Sequence, residues 1–318
     1  MLKDADLAPD RLTGVRPLTG GTYNTVEELL LTDGERYVLK TAPAPTVPSL
    51  RYERRLLVSE VEFYRAAAEV GVPAPRVVAV GEEADVPHLL MTACPGEPWN
   101  DEVTEAERVP LRRELGRQLA RLHTVTGPGY GYPSGAFGPL APDWRTAFST
   151  MIEGILDDAR YYMARLPRSV DQVTYMLEAG YPALDEVTAP ALVHFDLWDG
   201  NILLDRPADG EPRIGGLIDG ERMFWGDPLA DFVSLALLGD IKKDEAFLAG
   251  YREAGGRAEF DTPARVRLAL YRAYLYLIML TETNPRAVDA DQERWVQADV
   301  APELVIALDE IETLTAGS

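Results

Sequence analysis

Across 318 residues the chain carries 46% hydrophobic and 26% charged side chains, the balance of a folded, soluble protein with length for one large or two ordinary domains. A formal net charge of −21 argues against nucleic acid as a partner, because polyphosphate is bound through an excess of Lys and Arg. The acidic start, Met1 to Asp10, has no apolar segment, no apolar run reaches bilayer length, and Cys94 is the single cysteine, so the expectation is a cytoplasmic protein without signal peptide, membrane span or internal disulfide.

Taken in chain order, Val15 to Leu18, Val26 to Leu31 and Tyr37 to Thr41 read as short strands between turn signals. The first turn, Thr19 to Thr25, holds Gly20 and Gly21, where a backbone can approach phosphate oxygens, with Thr22 and Asn24 as side-chain donors. Taken alone it reads more readily as an ordinary hairpin. The second contains Asp33-Gly34, a hairpin signal. Lys40 ends the third strand, and the Pro-rich run Thr41 to Ser49 reads as an exposed loop. Leu50 to Val70 reads as a helix with Leu56, Leu57, Val61 and Tyr64 on one face, and it carries Glu53, Glu60 and Glu62. Gly71-Val72-Pro73-Ala74-Pro75 follows as a turn. Arg76 to Val80 and His88 to Met91 are two more strands, leading into Thr92-Ala93-Cys94-Pro95-Gly96.

Beyond this point the pattern turns helical. Thr104 and Glu107 form a capping box, and Leu111, Leu115, Leu119 and Leu122 mark the buried face of the helix ending at His123. After a Gly-, Pro- and Tyr-rich loop from Gly127 to Pro142, helices are expected over Trp144 to Leu166 and Val170 to Glu186. Others are expected over Phe232 to Leu238, Lys242 to Ala254, Thr262 to Thr283 and Asp291 to Leu314. Between them lies the segment on which the functional reading turns. Apolar Leu192-Val193 runs into a loop presenting His194, Asp196, Asp199 and Asn201, with Ile202-Leu203-Leu204 behind it. A further apolar run, Ile214 to Ile218, ends in Asp219. One carboxylate able to take a hydroxyl proton, followed by an amide and a second carboxylate as hard oxygen ligands, suits Mg²⁺-assisted phosphoryl transfer.

The pattern His194-x-Asp196-x4-Asn201, then Ile218-Asp219 and Gly226-Asp227-Pro228-Leu229-Ala230-Asp231, resembles the signatures of the aminoglycoside phosphotransferase family. The resemblance spans nearly the whole chain in order and departs from the family where Phe195 stands in place of the usual glycine. It implies an α+β, two-lobed, protein-kinase-like fold. Residues 1–95 would be a small antiparallel-sheet lobe for the nucleotide, and residues 96–318 a larger, mostly helical catalytic and acceptor lobe. Asp196 would be the catalytic base, and Asn201 and Asp219 the Mg²⁺ ligands, with Glu221 a possible further one. Lys40, held by Glu60 in preference to Glu53 or Glu62, would steady the phosphates under Gly20, Gly21, Thr22 and Asn24. Thr92, Ala93 and Cys94 would pair with the base of ATP or GTP. Asp227 and Asp231 would brace the metal loop by hydrogen bonds, and His194 would likewise orient the loop.

The expected reaction moves the γ-phosphate to a hydroxyl of a small molecule, with no nucleic acid or membrane partner, in a monomer or homodimer. An antibiotic acceptor (an aminoglycoside, another natural product or a nucleoside antibiotic) that confers resistance on phosphorylation is the first reading. A metabolic kinase for choline, homoserine, a ketosamine or a sugar is the runner-up, helped by the ketosamine-kinase-like triplet Asp196-Leu197-Trp198. A catalytically silent nucleotide-binding protein is the reading of another class. Only −4 of the net charge falls within residues 1–95, so the acidity is concentrated in the acceptor lobe. Such a surface attracts polycations, though it equally serves solubility. Acidic and aromatic candidates for the acceptor pocket are Asp240, Asp244, Glu245, Tyr271, Tyr274, Tyr276, Glu282 and Trp295, several of them at plain core spacing.

Overall fold

Five antiparallel strands make the N-terminal lobe: β1 (Leu12–Pro17), β2 (Thr25–Leu31), β3 (Arg36–Thr41), β4 (Val77–Gly81) and β5 (His88–Thr92), in spatial order β1-β2-β3-β5-β4. The computed structural model describes residues 9–18, 23–81, 86–100, 102–208 and 210–316, so Gly20, Gly21 and Thr22 of the phosphate turn lie outside the described residues. Asp33-Gly34 turns β2 into β3, with Gly34 at φ +85°, a conformation that costs other residues a Cβ clash. Lys40 pairs with Val26 on one side and Leu89 on the other. Directly opposed residues share a face, so Lys40 sits with Val38, Leu89 and Met91 on the inner side. Leu39 alternates outward into a small cluster with Leu29, Leu31 and Leu90.

The inner face is covered by α1 (Leu56–Glu69). The helix expected from Leu50 is broken: Arg51–Glu53 forms a short 3-10 turn, and Arg55 enters α1 at φ +58°. Contacts to the other lobe pull this segment aside. The buried Glu53 carboxylate accepts the Leu50 N–H at 2.6 Å and pairs with Arg286, while the Arg51 N–H donates to Asp158 at 2.7 Å.

The larger lobe contains α2 (Glu105–Leu122), α3 (Trp144–Tyr161), α4 (Val170–Gly180), α5 (Asp231–Leu235), α6 (Glu245–Glu253), α7 (Thr262–Thr281), α8 (Ala290–Trp295) and α9 (Ala301–Thr315). Among them lie two small sheets, β6 (Glu97–Pro98) with β8 (Ile202–Asp205) and β9 (Arg213–Leu217), and β7 (Ala191–Val193) with β10 (Phe224–Gly226). Several expected helices are shorter than their apolar periodicity. The one from Val170 tightens to 3-10 over Tyr181–Glu186, because Pro182 has no N–H for the Glu178 carbonyl. The one from Trp144 stops at Tyr161, with Met163 at φ +52°. The one from Phe232 begins at Asp231 and ends at Leu235, with Leu238 at φ +58°. Asp244 rather than Lys242 opens α6, its carboxylate accepting the Phe247 N–H at 2.9 Å. The last helix is split by a π turn, Val296–Val300, just before Pro302.

Helices α2 and α6 approach closely through two glycines. A Cβ at Gly116 would collide with the Phe247 carbonyl, and one at Gly250 with the Arg113 carbonyl. These obstacles are backbone, which cannot rotate away. Gly250→Ala is therefore expected to destabilise the protein by about 1–3 kcal/mol, read by urea denaturation, the range of overpacked cores.

Candidate active site

The loop His194 to Asn201 runs from β7 in one small sheet to β8 in the other, so buried strands anchor both ends. Asp196 stands on this loop with its side chain 21% exposed. The Asn201 side-chain amide donates to the Asp196 carbonyl at 2.8 Å and to its carboxylate at 3.3 Å, leaving the amide oxygen as the one side-chain atom of Asn201 able to ligate a cation. His194 joins the two motifs. Its Nδ1 accepts the Asp196 N–H at 3.2 Å, so the ring proton belongs on Nε2, which donates to the Ile218 carbonyl at 2.9 Å. Its ring meets Phe63 edge-on at 4.7 Å.

Phe195 occupies its position at φ +63°, which explains why glycine suits this place and makes the aromatic residue strained. The ring is fully buried against Phe224 at 5.0 Å and Tyr274 at 5.6 Å. Packing thus offsets strain. Phe195→Gly is expected to cost about 2–3 kcal/mol, since losing the ring outweighs the relief at φ. Phe195→Ala, which keeps the strain and loses the ring, should melt lower than Phe195→Gly, an inversion of the usual order checked by thermal denaturation.

Asp231 is fully buried beneath the same loop. Its carboxylate accepts the N–H of Phe195 at 2.7 Å and of His194 at 3.1 Å, and the His123 Nε2 at 2.9 Å. The Tyr251 hydroxyl lies 2.7 Å from His123 Nδ1, completing the support. Ser234 adds another contact by accepting the Leu197 N–H at 3.1 Å. Sequence reasoning read His123 as a helix-end histidine; its partner is 108 residues away, and no local signal points to it. Asp227 and Asp231 were expected to brace the metal loop together. Instead, Asp231 holds the loop of Asp196, and Asp227 accepts Arg267 at 2.8 Å, the Tyr271 hydroxyl at 2.7 Å and the Leu229 N–H at 3.0 Å, which ties its turn to α7.

Across the cleft, Lys40 Nζ is bonded to Glu60 at 2.7 Å, to Asp219, and to Glu221 at 3.5 Å. Glu53 and Glu62 are not its partners; Glu53 pairs with Arg286. Tyr64 fixes the arrangement, donating to Glu60 at 2.6 Å and accepting the Asp219 N–H at 3.1 Å. Asn24 reaches from the N-terminal lobe to donate to Glu221 at 2.7 Å. Burial opposes charge on Lys40, yet the Asp219, Glu60 and Glu221 carboxylates hold its pKa well above the usual lysine value. Burial, then Asp219, push the Glu221 carboxyl up to about 8. Glu60, Asp219 and Glu221 form a cluster compatible with a divalent metal. Two oxygens there lack hydrogen-bond partners among the described residues, Glu60 Oε2 and Asn24 Oδ1, so the donor set fits a hard cation.

On the opposite flank of Asp196 lies Arg222, which sequence reasoning passed over. Its Nε is 3.8 Å from the Asp196 carboxylate, its Nη2 donates to Glu282 at 3.3 Å, and its guanidinium lies over the Tyr52 ring at 5.7 Å. Arg286 pairs with both Glu282, at 3.2 Å, and Glu53. Of the suggested acceptor residues, Glu282 reaches this neighbourhood. Tyr271, Tyr274 and Tyr276 are core residues, and Asp244 pairs with Arg112 at 2.6 Å. At the junction of the lobes, the Thr92 N–H is taken by the Arg76 carbonyl and the Ala93 N–H by that of Arg36. Burial raises the Cys94 thiol to about 11, so it packs as a neutral side chain. A cavity of about 1160 Å³ lies beside these groups, between residues 42–49, the start of α1 and Tyr162. It meets the site through Asn24 and Glu53, so chemistry rather than volume locates the site.

Residues 14–269 match the family described as "Phosphotransferase enzyme family". A probable ketoamine kinase of Lactiplantibacillus plantarum is 25% identical over 298 residues, covering 86% of this chain and 91% of that protein. The viomycin phosphotransferase of Streptomyces vinaceus is 28% identical over 210 residues, covering 63% and 67%. Among solved structures, a Thermobifida fusca protein assigned as a fructosamine-3-kinase superposes with a TM-score of 0.66 at 21% identity, covering 96% of this chain and 94% of that one, a likeness of fold. The chain belongs to the phosphotransferase enzyme family, with a protein-kinase-like fold, and is a phosphotransferase acting on a small-molecule hydroxyl.

Proposed function

We propose that the acceptor is a sugar-derived amine of the ketosamine type, phosphorylated on a hydroxyl from ATP or GTP. The observation that carries this is the charge pairing beside Asp196, where Glu282 and Glu53 are already engaged by Arg222 and Arg286. A polycation is held by carboxylates with charge to spare, and pairing these two with guanidiniums removes that attraction. A neutral or singly charged sugar adduct needs hydrogen bonds instead. The likeness to a ketoamine kinase over most of both chains supports the same reading. The antibiotic acceptor is the second reading, favoured by the likeness to viomycin phosphotransferase.

In this reading Asp196 orients the acceptor hydroxyl and takes its proton, and Arg222 limits the rotation of that carboxylate. Lys40, positioned by Glu60, steadies the α- and β-phosphates, and the Cys94 N–H, which makes no hydrogen bond among the described residues, faces the task of pairing with the base. Asn201 and Asp219 would hold Mg²⁺, which when bound neutralises charge on the phosphates. A coupled phosphotransfer assay with ATP and GTP tests the proposal, offering fructosyl-lysine and ribulosyl-lysine against kanamycin, viomycin, choline and homoserine. Turnover confined to the ketosamines supports it. Turnover with an antibiotic alone makes resistance the function, and nucleotide binding without any acceptor turnover favours a silent nucleotide-binding protein.

A further inference from the structure

The chain between Lys40 and Glu60 borders the cavity of about 1160 Å³, which the chemistry at Asp196 leaves unused. One wall is residues 42–49, where Pro43, Pro45 and Pro48 stiffen the backbone and supply no N–H groups. The facing wall is one stripe of α1, Val58, Val61 and Arg65, spaced three and four residues apart. Glu60 and Tyr64 lie on another side of the same helix, bonded to Lys40 and Asp219. The lining leaves apolar surface in water, with Val47 45%, Val80 39% and Tyr161 76% exposed. Its charge is the reverse of the whole chain's. Arg54, Arg55 and Arg65 line it with Glu53 and Glu62, and Glu53 is already matched by Arg286. Three guanidiniums thus stand against one carboxylate in a chain of net charge −21. Arg55 donates to the Ser134 carbonyl at 3.4 Å and Arg54 attracts Asp158, whereas Arg65 makes no ion pair among the described residues. A firm apolar pocket ending at an unmatched cation complements an amphiphilic anion. From Arg65 to Val58 the helix rises about 10 Å, the length of a medium acyl chain.

We infer that this cavity binds an apolar carboxylic acid, with its carboxylate on Arg65 and its chain along Val61 and Val58, and that the bound acid tightens nucleotide binding. The cavity lies within the connection between Lys40 and Glu60, the pair proposed to steady the phosphates. Tyr162 of the larger lobe also lines it and donates to the Ser49 carbonyl at 2.9 Å. A ligand joining these walls restricts residues 42–49 and α1 together. Nucleotide then has less motion left to quench, and the two ligands favour each other. The regulatory part rests on nucleotide binding at Lys40 and is independent of which acceptor is phosphorylated.

Decanoate is the probe, titrated by calorimetry into nucleotide-free protein at concentrations where it stays monomeric. One saturable site is expected, with decanol and decyltrimethylammonium binding at least tenfold more weakly. Arg65→Glu, at an exposed position, should weaken decanoate at least tenfold. Val58→Trp, which fills the cavity, should abolish binding, and Val47→Trp on the opposite wall serves if that variant does not fold. Circular dichroism checks each fold. With decanoate saturating, ADP should bind the wild type several-fold tighter, and ADP should tighten decanoate by the same factor. In Arg65→Glu the ADP affinity should match that of the decanoate-free wild type whether or not decanoate is added. Absence of saturable binding, equal affinity for decanol, or wild-type decanoate affinity in Arg65→Glu overturns the site. Unchanged ADP affinity at saturating decanoate overturns its regulatory role, and displacement of decanoate by fructosyl-lysine gives the cavity to the acceptor instead. The decanoate titrations need neither nucleotide nor acceptor, so failure of the ketosamine reading leaves them standing.

Discussion

Asp196→Asn is expected to lower phosphotransfer at least a thousandfold while leaving the melting temperature and nucleotide affinity near those of the wild type. The change is isosteric, and the carboxylate has few structural duties: a 3.3 Å hydrogen bond from Asn201 and a 3.8 Å approach from Arg222. Arg222 keeps Glu282, so no buried charge is stranded. What is lost is a positioned proton acceptor, a contribution typically worth about 10²–10⁴ in rate. A thousandfold corresponds to about 4 kcal/mol of transition-state stabilisation. Single-turnover transfer to whichever acceptor proves active, together with ADP calorimetry and a thermal melt, separates chemistry from binding and folding. Turnover within tenfold of wild type would remove Asp196 from the role of base.

The same region shows how the lobes are coupled. Residues 49–53, between β3 and α1, are bolted to the larger lobe by the Ser49 carbonyl on the Tyr162 hydroxyl at 2.9 Å, by Arg51 on Asp158 and by Glu53 on Arg286. From Arg286 the ion pairs continue through Glu282 and Arg222 to Asp196. The helix carrying Glu60 and the base are therefore held in one frame, and movement of the smaller lobe strains contacts that reach the reacting carboxylate.

How much of this was legible depends on how local each signal is. Lys40 at the end of an apolar strand, Glu60 on the buried face of a helix, and Asp196, Asn201 and Asp219 beside buried strands all follow from short-range pattern, and the two-lobed order followed from the family resemblance those motifs carry. The helix breaks at Arg55, Met163 and Leu238 did not, because these residues hold positive φ without being glycine, and tertiary contacts set them there. Pro182 was a visible breaker outweighed by apolar spacing. Arg222, Arg286 and the role of His123 escaped for another reason. Each owes its role to a partner between 26 and 233 residues distant, and charged residues on helices look alike until folding brings them together. The substitution at Phe195 was plain, whereas the aromatic pocket that makes it tolerable is assembled from two distant segments, those of Phe224 and Tyr274.

Asp231→Ala is the second large effect, expected at about 3–5 kcal/mol of lost stability, the cost of breaking a buried, hydrogen-bonded charged group. The carboxylate is the acceptor for two consecutive N–H groups and for His123, all sealed from solvent, so its removal strands three donors at once. One of those N–H groups belongs to Phe195, whose positive φ persists only while its surroundings enforce it. Without Asp231 the loop can relax, and Asp196, the next residue, moves with it. Urea denaturation should show the loss, and kcat measured at a temperature where the variant stays folded should fall by at least tenfold. Asp231→Asn discriminates between causes. It keeps one acceptor oxygen and the side-chain volume, but must turn its NH2 toward a donor, so it should lie between wild type and alanine in both measurements. If both variants lose less than about 1 kcal/mol, within the ordinary range of a single hydrogen bond, the loop is held by its flanking strands and the Phe195 ring instead. Asp231 would then be a local turn residue rather than the support of the base.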